Sequence, residues 1–282
     1  MVICAGFLIS LFALHFTQYA SGIYLTPSSW PARDARRTAW LEFEGPSSMD
    51  RTTRAVFFDA GYTLLCMEPD QKTNFLQSCA DLGIEIDRFR LAEGMRQAAA
   101  MLAPRTPAAE KQPFSVDAVD RFWTEYQRVL LSVCAADPND AGRAEAVYRR
   151  FTSRLGWRVY VEVPPVLAAL RARGVTLGVV SNWTGDLEEV LRGVELHHAF
   201  DFILDSAHLG YEKPHPEIFQ EALRRANVSP EHALHVGDSP GHDVEGALGA
   251  GLRAALLDRE GSHPEFDRAP RMTSLEDLLQ LI

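Results

Sequence analysis

Short apolar runs that end in a polar residue are the feature that most constrains the fold of this chain. A run of this kind, followed by a turn, suits a buried strand that delivers a side chain at its carboxyl end. Helical patterns with Gly, Pro or Asn at one end separate the runs, and this alternation predicts an α/β fold, a three-layer α/β/α arrangement around a parallel sheet. The predicted strands are 54–59 (RAVFFD), 175–181 (VTLGVVS), 202–204, 233–238 (ALHVGD) and 253–258 (RAALLD), and the predicted helices between them are 164–173, 185–192, 214–226 and 243–250.

The pattern changes after the first predicted strand. Apolar residues recur at helical spacing, and no strand pattern interrupts them. The sequence therefore predicts an all-helical insert, residues 66–160, over the carboxyl ends of the sheet, and a core domain formed by residues 54–65 and 161–282. The predicted helices of the insert are 74–82, 91–102, 114–134 and 141–155.

Charge and cysteine content narrow the classes of partner. The formal net charge of −10 argues against a nucleic-acid partner, because such a site normally leaves a basic footprint. The four cysteines show neither CxxC spacing nor nearby paired histidines, so zinc and a disulfide framework are both poorly supported. Buried cysteines in a reducing compartment fit better, and we expect a cytoplasmic protein.

The first 48 residues form an apolar segment plus a linker and have two interpretations. Residues 2–25 contain no Asp, Glu, Lys or Arg and are long enough to cross a bilayer, and three arginines follow at positions 33–37. A membrane anchor would place the main domain on the cytoplasmic side. We favour the other interpretation, that residues 1–48 lie upstream of the native start, because Met49 stands just ahead of the first strand.

Polar residues with chemical potential stand at the ends of the predicted strands and before one helix. A carboxylate there can attack phosphorus or carbon, although alone it is more often a turn or cap residue. A hydroxyl and an amide can bind phosphoryl oxygens or cap a helix, and a lysine can neutralise a transferring group or simply lie on the surface. Two aspartates five residues apart can converge on magnesium or form a turn and a cap. The residues are Asp59, Ser181, Asn182, Lys213, Asp238 and Asp243.

This ordered series resembles the four motifs of the haloacid dehalogenase (HAD) superfamily, and the helical insert after the first motif resembles the first-type cap of its subfamily IA. The resemblance covers residues 54–282, and the segment RAALLDREG also resembles the branch called REG-2-like. It implies a Rossmann-like core and a magnesium-dependent hydrolase that acts on a small phosphorylated metabolite through an aspartyl-phosphate intermediate.

The resemblance also implies a role for each matching residue. Asp59 would be the nucleophile, and Lys213 would neutralise it and the transferring group. The expected phosphate-binding residues are Ser181, Asn182 and Thr63. The expected ligands of Mg²⁺ are Asp59, the backbone carbonyl of Gly61, Asp238 and Asp243.

The first motif departs from the family pattern. Phosphatases of the family read D-x-D-G-T, whereas this chain reads DAGYT, so Gly61 replaces the acid/base carboxylate and Tyr62 replaces the glycine. General acid/base catalysis is worth about 10²–10⁴-fold, so its loss predicts a slow enzyme rather than a dead one. His242 could approach the site, although we interpret it as an exposed loop side chain, and Tyr62 is a weaker candidate donor.

Two further hypotheses follow from this departure. The chain could be a catalytically weakened relative that binds a phosphorylated ligand or a protein partner. It could also cleave a C–P or C–halogen bond, because the phosphonate-cleaving members of the family borrow a cap lysine, a role open to Lys72 or Lys111. The paired aspartates of the fourth motif argue against dehalogenation, since the family's dehalogenases work without magnesium.

Overall fold

A six-stranded parallel sheet forms the centre of the molecule. The computed structural model describes residues 52–102 and 115–282. Its strands are β1 (Ala55–Phe58), β4 (Thr176–Ser181), β5 (Phe202–Asp205), β6 (Ala233–Gly237), β7 (Arg253–Leu257) and β8 (Arg271–Met272). The strand order is β5-β4-β1-β6-β7-β8, and each neighbouring pair in the sheet is parallel.

Both faces of the sheet are buried, as its apolar runs require. Alternate residues of β1 enter different cores, with Val56 and Phe58 in one apolar cluster and Ala55 and Phe57 in the other. The helices of this core are α5 (Val163–Ala172), α6 (Leu187–Gly193), α7 (Ser206–Leu209), α8 (Pro216–Ala226) and α9 (Gly246–Gly249). Helices α5 and α6 contribute to the first cluster, and helices α8 and α9 to the second.

The predicted α/β fold is confirmed, and so are its five predicted strands. The short edge strand β8 was not predicted, since its two residues carry too little pattern. The predicted helix 243–250 is shorter and less regular than expected. A π-helical turn, Pro240–Glu245, precedes α9, and Ser239 caps it by accepting a hydrogen bond from the backbone N–H of His242.

The described part of the insert after β1 contains four α-helices, as its apolar spacing predicts. They are α1 (Gln71–Asp81), α2 (Arg88–Ala99), α3 (Val116–Cys134) and α4 (Ala144–Ser153), with 3₁₀ turns at Ala100–Leu102 and Pro138–Arg143. Helix α3 buries Val119, Trp123, Tyr126 and Leu130, a spacing of three and four that forms one helical face. These residues join the same apolar cluster as Val56 of the sheet, so the insert packs continuously with one side of the core.

The insert also has two strands at its boundaries that the sequence did not predict. Strands β2 (Leu65–Glu68) and β3 (Gly156–Val159) form an antiparallel pair in which Leu65 lies opposite Val159. Each strand is only four residues long and lacks a clear alternation of apolar and polar types, which explains why the pattern was missed. The pair brings the entry and the exit of the insert side by side.

Two predictions concern segments that the structure does not describe. The membrane-anchor and upstream-start interpretations of residues 1–48 fall outside the described residues, as does Lys111. Among the helices within 52–102 and 115–282, none is both long and apolar enough to cross a bilayer.

Candidate active site

Asp59 stands at the carboxyl end of the central strand, where a parallel sheet places its sites. Its backbone N–H donates to Val236 O at 2.9 Å, which continues the pairing of β1 with β6. The side chain is 5% exposed, and Oδ1 accepts a hydrogen bond from Ser181 Oγ at 2.9 Å. Since β4 and β6 flank β1, the ends of three adjacent strands meet at this carboxylate.

Lys213 is the cation at the point where these strand ends meet. It is 1% exposed, and its Nζ lies 2.7 Å from Asp59 Oδ1 and 2.6 Å from Asp243 Oδ1. Asn182 fixes the lysine backbone, because its Nδ2 donates to Lys213 O at 2.9 Å and its Oδ1 accepts from Lys213 N at 2.5 Å. Asn182 thus orients Lys213 here, and its expected contact with phosphate stays a prediction.

Asp243 is held from three sides. Its Oδ1 accepts from Lys213 and lies 2.9 Å from His235 Nε2, and its Oδ2 accepts from Ser239 N at 2.9 Å. This approach depends on Gly237, where an added Cβ would lie 2.1 Å from Asp243 Cγ. The carboxylate therefore sits against the backbone of β6 at a point where only glycine leaves room.

His235 is a residue that sequence reasoning missed. It points from β6 into the core, is fully buried, and orders Asp243 through the Nε2 contact. Burial lowers the pKa of His235 despite the opposing effect of Asp243, so the imidazole is neutral and donates from Nε2. The pattern ALHVGD carries a polar residue at an inward position of a buried strand, and that was the signal available.

Asp238 and the two neighbouring carboxylates form a set of oxygens suited to a hard cation. Ligand oxygens of Asp59, Asp238 and Asp243 all lie within 4.8 Å of one another. Burial is the main cause that raises the pKa of Asp238 well above its usual range, and the charges of Asp59 and Asp243 raise it further. A divalent cation would offset this repulsion, and carboxylates with a backbone carbonyl are the donors that Mg²⁺ takes. The residues fit the ion.

The charges around Lys213 explain why the cluster tolerates burial. Burial alone would lower the pKa of Lys213, but Asp243 and Asp59 raise it above its ordinary value. Burial likewise opposes ionisation of Asp243, yet Lys213 and the His235 hydrogen bond lower its pKa overall. The lysine and Asp243 thus remain an ion pair at neutral pH, sheltered from solvent.

The turn after Asp59 keeps a compact form although its sequence departs from the family pattern. Tyr62, at the family's glycine position, has φ 55, the left-handed region that bulky residues rarely occupy. Its N–H donates to Leu65 O at 2.6 Å, and Leu64 N–H donates to Ala60 O at 2.9 Å. Thr63 is fully buried, and its Oγ1 has no hydrogen-bond partner within the described structure, so the hydroxyl is available as a donor.

His242 and Tyr62 are the two candidate proton donors near the site, and the structure corrects the expectation for His242. The interpretation of His242 as an exposed side chain is wrong, because it is partly buried with Nδ1 3.1 Å from Ser239 Oγ. Burial lowers the pKa of His242, which keeps it neutral at pH 7. Burial and the neighbouring Tyr160 raise the pKa of Tyr62, which makes Tyr62 a poor base at that pH.

Comparison with known proteins agrees with this geometry. The family model of haloacid dehalogenase-like hydrolases matches residues 53–251. The chain is 32% identical over 212 residues to haloacid dehalogenase-like hydrolase domain-containing protein 3 of Bos taurus, covering 72% of this chain and 81% of the relative. It is 34% identical over 223 residues to the glyceraldehyde 3-phosphate phosphatase of Methanopyrus kandleri, covering 76% and 87%.

A solved structure supports the fold alone. The putative HAD-hydrolase YfnB from Bacillus subtilis has a TM-score of 0.61 at 23% identity, over 82% of this chain and 98% of that one. The family match and the relative from Methanopyrus kandleri together show that the chain is a hydrolase of the phosphatase-like kind. The chain belongs to the haloacid dehalogenase-like hydrolase family.

Proposed function

We propose that this member of the haloacid dehalogenase-like hydrolase family is a magnesium-dependent phosphatase of small phosphorylated metabolites, with Asp59 as its nucleophile. The observation that carries the proposal is the buried bridge of Lys213 Nζ between Asp59 and Asp243, with Ser181 on the same Asp59 oxygen. A buried carboxylate held by a cation and a hydroxyl at a strand end is oriented for attack on phosphorus.

The chain's own residues would carry the first step as follows. Because Ser181 and Lys213 both donate to Asp59 Oδ1, Oδ2 is the oxygen that attacks phosphorus. The Oδ2–P bond forms, the bond from phosphorus to the leaving oxygen breaks, and that oxygen takes a proton from solvent or from a neighbouring donor. Lys213, Ser181 and the Thr63 hydroxyl would stabilise the phosphoryl oxygens, and Asn182 would keep Lys213 in place.

The second step returns the enzyme. Water attacks phosphorus, the Oδ2–P bond breaks, and inorganic phosphate leaves with Asp59 again a carboxylate. Gly61 supplies no carboxylate to protonate the leaving oxygen in the first step or to activate this water in the second, so turnover should be slow. Esters with acidic leaving groups should suffer least in the first step, because their leaving oxygen needs no proton. His242 is a candidate to share the proton transfer, since it directly precedes Asp243 in the chain and is neutral at pH 7.

Magnesium would be held by Asp59, Asp238, the Gly61 carbonyl and Asp243. When bound, it would supply charge neutralisation between the nucleophile and the phosphoryl group. Asp238 would be the more direct ligand of the fourth motif, because the oxygens of Asp243 already accept from Lys213, His235 and Ser239. Asp243 would then act chiefly by holding Lys213.

The helical insert would serve as a cap over the carboxyl ends of β1, β4 and β6. Its connections leave and return beside the turn that follows Asp59, since Tyr160 N–H donates to Leu64 O at 3.1 Å. A small substrate fits such an arrangement, and the name of the Methanopyrus kandleri relative, a glyceraldehyde 3-phosphate phosphatase, supports a phosphorylated metabolite.

A second candidate function is a binder of phosphorylated ligands with little turnover. The observation that favours it is the pair Gly61 and Tyr62, which removes the acid/base carboxylate of the family pattern. This binder would keep Lys213, Ser181 and the metal set, so it would bind phosphate in a magnesium-dependent manner without hydrolysing esters.

Hydrolysis of p-nitrophenyl phosphate by the full chain, with and without Mg²⁺, tests the proposal. We expect magnesium-dependent turnover in the natural protein and loss of at least about 10³-fold in Asp59→Asn, because the amide is not a nucleophile. Asp205→Asn is the matched control, since Asp205 is also a buried strand-end aspartate but its carboxylate caps α7 through His208 N.

Two results would contradict the proposal. Equal turnover in Asp59→Asn would remove Asp59 as nucleophile. No turnover across a panel of phosphate esters, combined with tight magnesium-dependent phosphate binding by calorimetry, would favour the binder; in that case Gly61→Asp should create activity that the natural protein lacks.

A further inference from the structure

We propose that Arg259 is a positioning residue that holds the turn of residues 60–65 in its active form. Arg259 follows β7, far from the turn in sequence; it lies in the segment RAALLDREG but outside the four motifs that carry the chemistry. The inference concerns the shape of the turn, and it rests on the proposed function only where magnesium is used as a readout.

Each nitrogen of the Arg259 guanidinium donates to a different acceptor. Its Nε donates to Tyr62 O at 3.2 Å, its Nη2 donates to Thr63 O at 2.8 Å, and its Nη1 forms a close ion pair with Glu162. The guanidinium carbon also lies 3.7 Å above the centre of the Tyr160 ring. Both side chains of the ion pair are largely buried, 14% and 12% exposed, so the geometry is fixed rather than transient.

These contacts meet a specific need of the turn. Tyr62 occupies the left-handed region with φ 55, which a bulky L-residue adopts only when its surroundings compensate. The two carbonyls that Arg259 binds belong to Tyr62 itself and to Thr63, so the guanidinium holds the two peptide units that directly follow the left-handed residue. Arg259 therefore compensates for a tyrosine where the family pattern has glycine.

The position of the turn matters to the metal site. Gly61 precedes Tyr62, and its carbonyl is one of the expected ligands of magnesium. A turn that shifts when the carbonyls of residues 62 and 63 are released would change the position of the Gly61 carbonyl relative to Asp59 and Asp238. Arg259 would then act on the ion through the backbone, without touching it.

The same side chain joins the turn to the return of the insert. Glu162 is the N-cap position of α5, and Tyr160 directly follows β3. One guanidinium thus holds together the end of β1, the exit of the insert and the loop after β7. A lysine could keep the charge but not three donors in a plane, so arginine is the residue this junction requires.

Amide hydrogen exchange of the magnesium-free full chain is the first test. In Arg259→Gln we expect exchange in residues 60–65 to accelerate about 10-fold, because the turn's own hydrogen bonds lose their support. Arg173→Gln is the matched control, since Arg173 also donates to two main-chain oxygens, those of Leu279 and Ile282, rather than to the turn. Exchange in residues 60–65 should be unchanged there.

Substitution of Tyr62 isolates the role of strain. Glycine accepts a positive φ at no steric cost, so a turn with Tyr62→Gly should depend less on the arginine. We expect Arg259→Gln to accelerate exchange about 10-fold beside Tyr62 and about 3-fold or less beside glycine. Equal acceleration in the two backgrounds would overturn the compensation argument.

Magnesium affinity is the functional readout. In Arg259→Gln the magnesium concentration for half-maximal phosphate binding or turnover should rise about 10-fold, and in Arg259→Lys by a smaller factor, since charge is kept but the fork is lost. Arg259→Lys also serves if the glutamine variant does not fold.

The outcomes separate this inference from the proposed function. Faster exchange confined to residues 60–65 supports the positioning role even if the protein hydrolyses nothing. Exchange that accelerates equally in β1 and in the turn reflects global loss of stability and overturns the inference, as does unchanged exchange in the turn, whatever the enzyme's activity.

Discussion

The ion pairs of the active site and three exposed ion pairs of the helical insert have similar lengths but different surroundings. Lys213 lies 2.6 Å from Asp243 with both side chains at most 2% exposed, whereas Arg149 lies 2.7 Å from Glu145 with the side chains 77% and 64% exposed. Other exposed pairs of the insert, Arg96 with Glu93 and Arg128 with Glu125, are as short.

Distance is therefore a poor guide to the importance of a charge in this molecule. Water screens the insert pairs, and each is worth a fraction of a kcal/mol. In the active site no solvent shares the charge, so Lys213 and the carboxylates depend on one another. The comparison predicts a gradient of effects on the free energy of unfolding, which substitutions in the active site, at two carboxylates with shifted pKa values and on the insert surface can sample.

The largest effect is expected for Lys213→Met in the absence of Mg²⁺. The substitution leaves Asp59 and Asp243 buried without their cation, which costs about 3–5 kcal/mol of unfolding free energy. Urea denaturation measures the loss, and Lys72→Met, at a partly exposed position of α1, should cost less than about 1 kcal/mol. A Lys213→Met protein as stable as the natural one would show that the cluster does not depend on this cation.

An intermediate effect is expected for Asp186→Asn, and it should depend on pH. Burial raises the pKa of Asp186 to about 6, against hydrogen bonds from its own backbone and from Trp183 and Thr184. A raised folded-state pKa means that stability is present below about pH 4 and is lost as pH rises through about 6. The asparagine variant avoids this loss and keeps an acceptor for Trp183, so its advantage in urea should grow across that range, to below about 1 kcal/mol after screening.

Asp81→Asn should change the pH dependence of stability in the opposite direction. Hydrogen bonds from Arg154 and Arg150 lower the pKa of Asp81, so its contribution is present above about pH 4 and is lost as pH falls below that. Because the variant lacks this contribution, its stability in urea relative to the natural protein should fall as the pH rises through about 4. Equal pH profiles for the two variants would contradict the assignment of burial as the cause at Asp186.

The smallest effect is expected on the surface of the insert. A double-mutant cycle of Glu145→Ala and Arg149→Ala should give a coupling of about 0.3–0.5 kcal/mol, typical of a pair four residues apart on a helix. The coupling should fall in 1 M salt, where the Debye length is about 3 Å. A coupling above about 2 kcal/mol would erase the contrast with the active site.

The sheet and the ends of its strands could be predicted from the sequence because their signals are local. A run such as AVFF followed by Asp59 states both the burial of the strand and the place where its polar residue appears. Since parallel strands share one edge for their carboxyl ends, the sequence alone predicts that Asp59, Ser181 and Asp238 lie close together. The structure places all three there.

Contacts that depend on the path of the chain could not be predicted. Nothing near Arg259 in the sequence indicates that it binds the carbonyls of residues 62 and 63, about 200 residues earlier. His235 was hidden for another reason, since a single polar residue in a buried strand is compatible with many partners. The form of the turn at Tyr62 also depended on tertiary support that local propensity does not contain.

The antiparallel pair of β2 and β3 has a consequence for how this architecture can change. Because Leu65 and Val159 lie opposite one another, the ends of the insert between them are held together by the β2–β3 pair. Doubling the length of an insert whose ends are held together costs only about 0.6 kcal/mol of loop-closure entropy. Helical inserts of different size could therefore be exchanged between β2 and β3. Such an exchange would leave the sheet, and the buried charges at the carboxyl ends of its strands, unchanged.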